Sequence, residues 1–264
     1  MKFINDLIKY IYDTFFNTRR LKNEPENLHI HDFPRDQIKL KFNRPIQIVF
    51  GGCGGKYSYY MGFAYVLQHR LDFSNIIFSG ASAGSFIALC CSLNLDMKKI
   101  FEYHNMEMID KLNNMYFGPY YNWYKVYSDQ ILSMLDKEDH KKLNNRFSYS
   151  ITEFPSLNNE IISQWTSNKD LVNGLVASGF VPIYGKSFVK KYRGKNYIDG
   201  AISNKKPLLY KNIPHIYMRI DRYRSFQKNE FFINCDKEYH YKLFNLGVKD
   251  ALDNFNNFVN SIEE

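Results

Sequence analysis

Two periodicities divide the apolar positions of this chain. Short unbroken blocks alternate with stretches spaced by three and four, as strands and helices do in succession. Ile46-Gln47-Ile48-Val49-Phe50 is a block rich in β-branched residues that ends at Gly51 to Gly55, and it predicts a buried strand. Tyr59 to Arg70, with Met61, Ala64, Tyr65 and Leu67 apolar, predicts a helix, and Asn75 to Ser79 the next strand. After the small-residue turn Gly80-Ala81-Ser82-Ala83-Gly84, the stretch Ser85 to Leu89 reads as helix. Strand, helix, strand in this spacing is a βαβ unit, with a parallel pair covered by helices.

The rest of the chain is less even. Residues 100–146 are rich in Tyr, Asn and Met, with a turn expected at Gly118-Pro119 and helices on either side. Arg146 to Thr152 and Glu160 to Trp165 predict two strands joined by Pro155-Ser156-Leu157-Asn158-Asn159. Asp170 to Ala177 predicts a helix capped by Asn168 or Ser167. A further strand is expected over Ile216 to Ile220. Tyr241, Phe244, Val248, Leu252, Phe255, Val259 and Ile262 recur at helical spacing and predict a C-terminal helix packed on the core.

At the other end, Phe3, Ile4, Leu7, Ile8, Ile11, Tyr12, Phe15 and Phe16 form one helical stripe, followed by Arg19, Arg20 and Lys22. A helix lying in a membrane interface carries such a stripe. A face docked on the domain's own core carries one too, and that is the expectation here. Residues 23–44 are polar, hold Pro25 and Pro34, and read as a linker, so the chain divides into 1–44 and a domain over 45–264.

Composition narrows the partners. Thirty-five basic residues against 27 acidic give a net charge of +8, which favours anionic surfaces. The basic residues are scattered and form no nucleic-acid module, so no nucleic-acid partner is expected. The four cysteines, Cys53, Cys90, Cys91 and Cys235, show no C-x-x-C spacing, which argues against a zinc site and suits a reducing compartment. No apolar run has transmembrane length, and Asp6, Lys9 and Asp13 interrupt the N-terminal stripe as a signal peptide would not allow. The expected location is therefore intracellular, soluble or peripheral to a membrane.

The chemistry concentrates in three places. Gly80-x-Ser82-x-Gly84 between a strand and a helix is the pattern of a nucleophile elbow, which lifts a serine hydroxyl towards substrate beside a helix N-terminus. Gly51-Gly52-Cys53-Gly54-Gly55 lies one strand-helix unit earlier, at the same edge of a parallel sheet, where glycines let backbone N–H groups face a developing oxyanion. It fits neither a phosphate loop nor a dinucleotide fingerprint, because Tyr57 stands where each needs another residue. Tyr197-Ile198-Asp199-Gly200-Ala201 sets a carboxylate after a short apolar strand, although an Asp-Gly turn is common for reasons of backbone alone. None of the seven histidines occupies a comparable loop.

In this order the three segments resemble the patatin-like phospholipases, in the branch of adipose triglyceride lipase and adiponutrin. Gly52-Cys53-Gly54-Gly55-Lys56, Gly80 to Gly84, and Asp199-Gly200-Ala201 are similar to the family's glycine-rich loop, G-x-S-x-G and D-G-[GA]. Tyr59, Gly62, the run Ser178-Gly179-Phe180-Val181-Pro182-Ile183-Tyr184, Ile202-Ser203-Asn204 with Pro207-Leu208, and Gly247 to Ala251 extend the likeness over residues 46–251. The resemblance implies a three-layer α/β/α sandwich with a mixed, largely parallel central sheet. It implies a lipid acyl hydrolase with Ser82 as nucleophile, Asp199 as general base, and an oxyanion hole from the N–H groups of Gly52, Cys53 and Gly54. Such a base needs an apolar pocket that raises its pKa. Neither metal nor cofactor is implied, and the partner is lipid at a membrane or droplet surface. Tyr57 replaces a family glycine and is expected to narrow the loop or redirect its backbone. Two other readings stay open. One is a catalytically weak lipid-surface binder of the same fold. The other is an α/β-hydrolase with a Ser82, Asp199 and His240 or His215 triad, the chain order that fold uses.

Overall fold

The β-branched block at Ile46–Phe50 forms strand β1, every residue of it buried. In a computed structural model, which describes residues 30, 33, 38–226 and 231–263, this strand lies inside a seven-stranded sheet. The amphipathic stripe over 1–22 and most of the 23–44 segment lie outside the described residues.

Strands β2 (Ile76–Ala81), β3 (Phe147–Glu153) and β7 (His215–Met218) join β1 in parallel, in the order β3-β2-β1-β7. Of these buried strands, β1 is a near-continuous apolar run, while β3 alternates Phe147, Tyr149 and Ile151 with the buried hydroxyl residues Ser148, Ser150 and Thr152. The antiparallel strands β4 (Asn159–Ile162) and β6 (Lys195–Ile198) both pair with β3, and β5 (Lys190–Tyr192) pairs with β6. The sheet is thus mixed around a parallel centre. Helices α1 (Tyr57–Arg70) and α2 (Ala83–Ser92) make the crossovers next to β1 and β2, and α3 (Asn168–Ser178) follows the β3–β4 hairpin. The C-terminal helix α4 (Lys237–Val259) packs along α1.

Several boundaries differ from the sequence expectation. Strand β2 runs two residues past Ser79, because the ladder to β1 and β3 continues through Gly80 and Ala81. Strand β4 stops at Ile162, before Trp165, whose indole N–H leaves the ladder to donate to Tyr149 Oη at 2.7 Å. Ser167 is the cap of α3, its Oγ accepting from Asp170 N at 3.1 Å. Strand β7 ends at Met218, two residues short of Ile220.

One detail of register positions the site. Thr152 of β3 pairs with Asn159 of β4 on one edge and with Ile198 of β6 on the other. Ser150 likewise pairs with Ile161 of β4 and with Ala81 of β2. Strands β2 and β6 therefore share the same edge of β3, one parallel and one antiparallel, and their C-terminal ends run towards each other. Continued by one residue, both registers reach Ile151: Ser82 from below and Asp199 from above.

Candidate active site

Ser82 follows β2 directly and precedes the first turn of α2, with φ 55° and ψ −137°. A non-glycine residue at positive φ costs about 1–3 kcal/mol, and such strain concentrates at functional sites. The tightness needs Gly80 and Gly84. A Cβ on Gly80 would lie 2.5 Å from Gly84 O, and one on Gly84 2.5 Å from Phe50 O. Ser85 N and Ser85 Oγ both donate to Ser82 O, at 3.0 and 2.5 Å, which closes the turn into the helix. Ser82 N donates to Ser178 Oγ at 3.2 Å.

Asp199 meets Ser82 as the register requires. Ser82 Oγ donates to Asp199 Oδ2 at 2.5 Å, and Ala201 N donates to Oδ1 at 2.8 Å. Gly200 opens the short 3-10 turn Gly200–Ile202, packed so closely on Ser150 that no side chain fits there. Thr152 Oγ1 donates to Asp199 O at 2.8 Å, and Asp199 N donates to Phe180 O at 3.1 Å. Burial is the main influence on the carboxyl and pushes its pKa up to about 6, against the lowering effect of the two hydrogen bonds. A carboxylate so placed can take the proton of the hydroxyl it touches.

The glycine loop lies alongside. A Cβ on Gly52 would stand 3.3 Å from Ser82 Cβ and 3.1 Å from Ala201 Cβ. Gly51 N is spent on Met218 O at 3.0 Å, whereas the N–H groups of Gly52, Cys53 and Gly54 meet no backbone acceptor among the described residues. Gly54 adopts φ 54°, and the short turn Gly54–Lys56 leads into α1. The Cys53 thiol is buried, and burial pushes its pKa up, so it stays protonated. Tyr57 stands just past the loop. It is the first residue of α1 with ordinary helical backbone, φ −56° and ψ −29°, and its ring packs against Trp123 and His240. The side chain also lines the adjoining pocket.

That pocket holds about 850 Å³, part of it open to solvent. Ser82 and Gly54 stand in its wall beside Phe86, Ile131, Leu175 and Val181. Helices Met106–Asn113 and Trp123–Met134 contribute Met108, Trp123 and Tyr127. Tyr124 closes one side, donating through Oη to Gly179 O at 2.8 Å and accepting from Val181 N at 2.5 Å.

Neither histidine of the triad reading reaches the pair. His240 sits within 2.7 Å of Ser58 Oγ through Nδ1 and of Asn234 O through Nε2, and burial lowers its pKa to about 4. His215 Nε2 lies 3.2 Å from Glu263. Among the described residues no histidine hydrogen-bonds Ser82 or Asp199. Sequence reasoning gave no role to Thr152, Ser178 or Tyr124. Ser178 was visible only as a flanking match, and Thr152 carried no signal.

Comparison with known proteins gives the family of the chain. A family model described as patatin-like phospholipase matches residues 48–210. Patatin-like phospholipase domain-containing protein 4 of Homo sapiens is 31% identical over 170 residues, 62% of this chain and 67% of that protein. The 1-acylglycerol-3-phosphate O-acyltransferase Pnpla3 of Mus musculus is 27% identical, over 61% of this chain and 40% of that protein. For patatin-like phospholipase domain-containing protein 2 of Homo sapiens the figures are 29%, 61% and 33%, so the match spans well under half of these last two relatives. Among solved structures, VipD from Legionella pneumophila aligns with a TM-score of 0.41 and 16% identity, covering 78% of this chain and 55% of that one. By the extent of the family match, this chain belongs to the patatin-like phospholipase family.

Proposed function

We propose that this protein is a lipid acyl hydrolase working through Ser82 and Asp199. The observation that carries the reading is the 2.5 Å hydrogen bond between Ser82 Oγ and the buried Asp199 carboxylate, at the wall of an apolar pocket. Asp199 takes the hydroxyl proton as Ser82 Oγ bonds to the ester carbonyl carbon. The oxygen of the tetrahedral intermediate collects negative charge beside the N–H groups of Gly52, Cys53 and Gly54 and the N-terminus of α2. The carbon–oxygen bond to the alcohol then breaks, and Asp199 returns the proton to that leaving oxygen. A second cycle with water releases the fatty acid and restores Ser82. An alcohol entering in place of water would give acyl transfer by the same steps, a relevant outcome because one relative is named as an acyltransferase.

A lipid substrate is supported by the pocket, whose apolar wall suits an acyl chain. The family likeness supports lipid substrates as well. Tyr116, Phe117 and Tyr121, exposed to 84%, 61% and 51%, sit on the turn leading into the Trp123–Met134 helix, where they suit a lipid surface.

A serine-directed fluorophosphonate tests the assignment. Labelling is expected for the wild type and not for Ser82→Ala, with esterase kcat/KM falling on the order of 10³-fold or more in the variant. Equal labelling of both would remove Ser82 from the mechanism. A folded wild type that neither labels nor turns over ester, yet binds lipid, would favour the lipid-binding reading.

A further inference from the structure

The pocket wall is apolar except for its tyrosines, Ser82 and one polar patch, formed by His104 and Asn105 on the wide helical turn Ile100–Asn105 and by Gln130 of the Trp123–Met134 helix. In an α-helix residue i+5 lies about 140° round from residue i, but a turn closed by i→i+5 hydrogen bonds returns it to nearly the same side. That widening lets Ile100, His104 and Asn105 all face the pocket.

Asn105 is 4% exposed. Its Oδ1 accepts from Tyr57 Oη at 2.7 Å, while its Nδ2 has no hydrogen-bond partner among the described residues. With the hydroxyl donating to the oxygen, the amide's two N–H donors are left over. The neighbouring polar group is already used, since Gln130 Nε2 donates to His104 O and to Glu107 Oε2, each at 3.1 Å. Buried polar groups are ordinarily paired, and an unpaired donor in the wall of an apolar pocket marks a place for an acceptor that comes with the ligand.

Resting on the acyl hydrolase reading above, we infer that Asn105 is a specificity-determining residue whose Nδ2 donates to a second oxygen on the bound lipid. The pocket therefore takes an oxygenated lipid in preference to a plain hydrocarbon ester. The oxygen can belong to the acyl chain, as a keto group, or to the alcohol moiety, as a glycerol hydroxyl or ester. Tyr57 acts through Asn105 as a positioning residue.

Binding to Ser82→Ala protein, which cannot turn over, separates this from the chemistry. Calorimetric titrations would use methyl decanoate, methyl oxodecanoates with the keto oxygen moved along the chain, and 1-monodecanoylglycerol. At least one oxygenated probe is expected to bind more tightly than methyl decanoate. Adding Asn105→Leu should weaken that probe about 10-fold and leave methyl decanoate within twofold. A keto ester responding alone assigns the oxygen to the acyl chain; the glycerol ester responding alone assigns it to the alcohol. If Asn105→Leu fails to fold, Tyr57→Phe carries the test: it keeps the ring, frees the amide to turn, and should erode the same preference. The inference is overturned if no oxygenated probe is preferred, or if every probe changes by one common factor. Either result leaves fluorophosphonate labelling of Ser82 untouched, so the two readings fail separately.

Discussion

Asp199 illustrates how one residue sets both a rate and a stability. Its carboxyl has an ordinary value of 3.8 and is carried to about 6 by burial. A base must be unprotonated to act, so kcat/KM on a water-soluble ester is expected to rise with pH through about 6 and level off above it. The same shift acts on folding with the opposite sense. The native state holds this proton to higher pH than the unfolded chain does, so its contribution to stability is greatest in acid. It declines as pH rises from about 4 to about 6 and is flat beyond. At neutral pH the ionised carboxylate costs about 3 kcal/mol relative to acid. Asp199→Asn should therefore abolish turnover while melting higher than wild type at pH 7.5, with the gap closing towards pH 4.5. A variant that melts lower at every pH would show that the carboxylate is not a strained, functional charge.

At the scale of elements the decisive feature is the shared edge of β3, which sets the ends of β2 and β6 face to face. Thr152 of β3 holds the turn after β6 through its hydroxyl, which donates to Asp199 O at 2.8 Å and lies 2.7 Å from Ser203 Oγ. Thr152→Val keeps the branched shape and removes that link. It should cost about 1–2 kcal/mol by thermal melting. Esterase kinetics should lose kcat with KM nearly unchanged, because the pocket is intact and only the base is loosened. Little of this was legible beforehand. The blocks that became β1, β3 and the β3–β4 hairpin announced themselves by β-branched content and by Pro155 to Asn159 between them. Ser82 and Asp199 were visible as local motifs as well. Their meeting was implied by the family resemblance and not by any local pattern, since it depends on a ladder register between segments 117 residues apart. Strand β5 was missed because Lys190-Lys191-Tyr192 at an edge carries no apolar pattern. The Ile100–Asn105 turn was missed because an i→i+5 hydrogen-bond pattern has no residue signature.

Across the whole molecule, the chain from residue 231 onwards shapes a site to which it adds no catalytic group. Helices α1 and α4 approach so closely at Gly62 and Gly247 that a Cβ on either would strike the partner's backbone. The contact is locked by Asp250, which accepts from Tyr59 Oη at 3.0 Å and from Arg224 Nε and Nη2, each at 2.9 Å. Ahead of α4, residues 231–233 lie directly against the glycine loop, where a Cβ on Gly54 or Gly55 would meet the carbonyls of Phe231 and Phe232. Ile233 N also donates to Tyr184 Oη at 2.9 Å, which ties this segment to the pocket. Docking of α4 thus presses the loop into its shape from outside, and a distant substitution should loosen it. Asp250→Ala strips partners from Tyr59 and Arg224, and because Arg224 is only partly buried the expected loss is about 2 kcal/mol, below the range for a fully buried pair. Hydrogen exchange at the amides of Gly52 to Gly55 should quicken, and esterase kcat should fall with it. Lys249→Ala, one residue away and exposed, breaks only the pair with Asp253 and should change neither. If Asp250→Ala lowers the melting temperature while exchange at the loop amides keeps its wild-type rate, then α4 stabilises the domain without shaping the oxyanion loop.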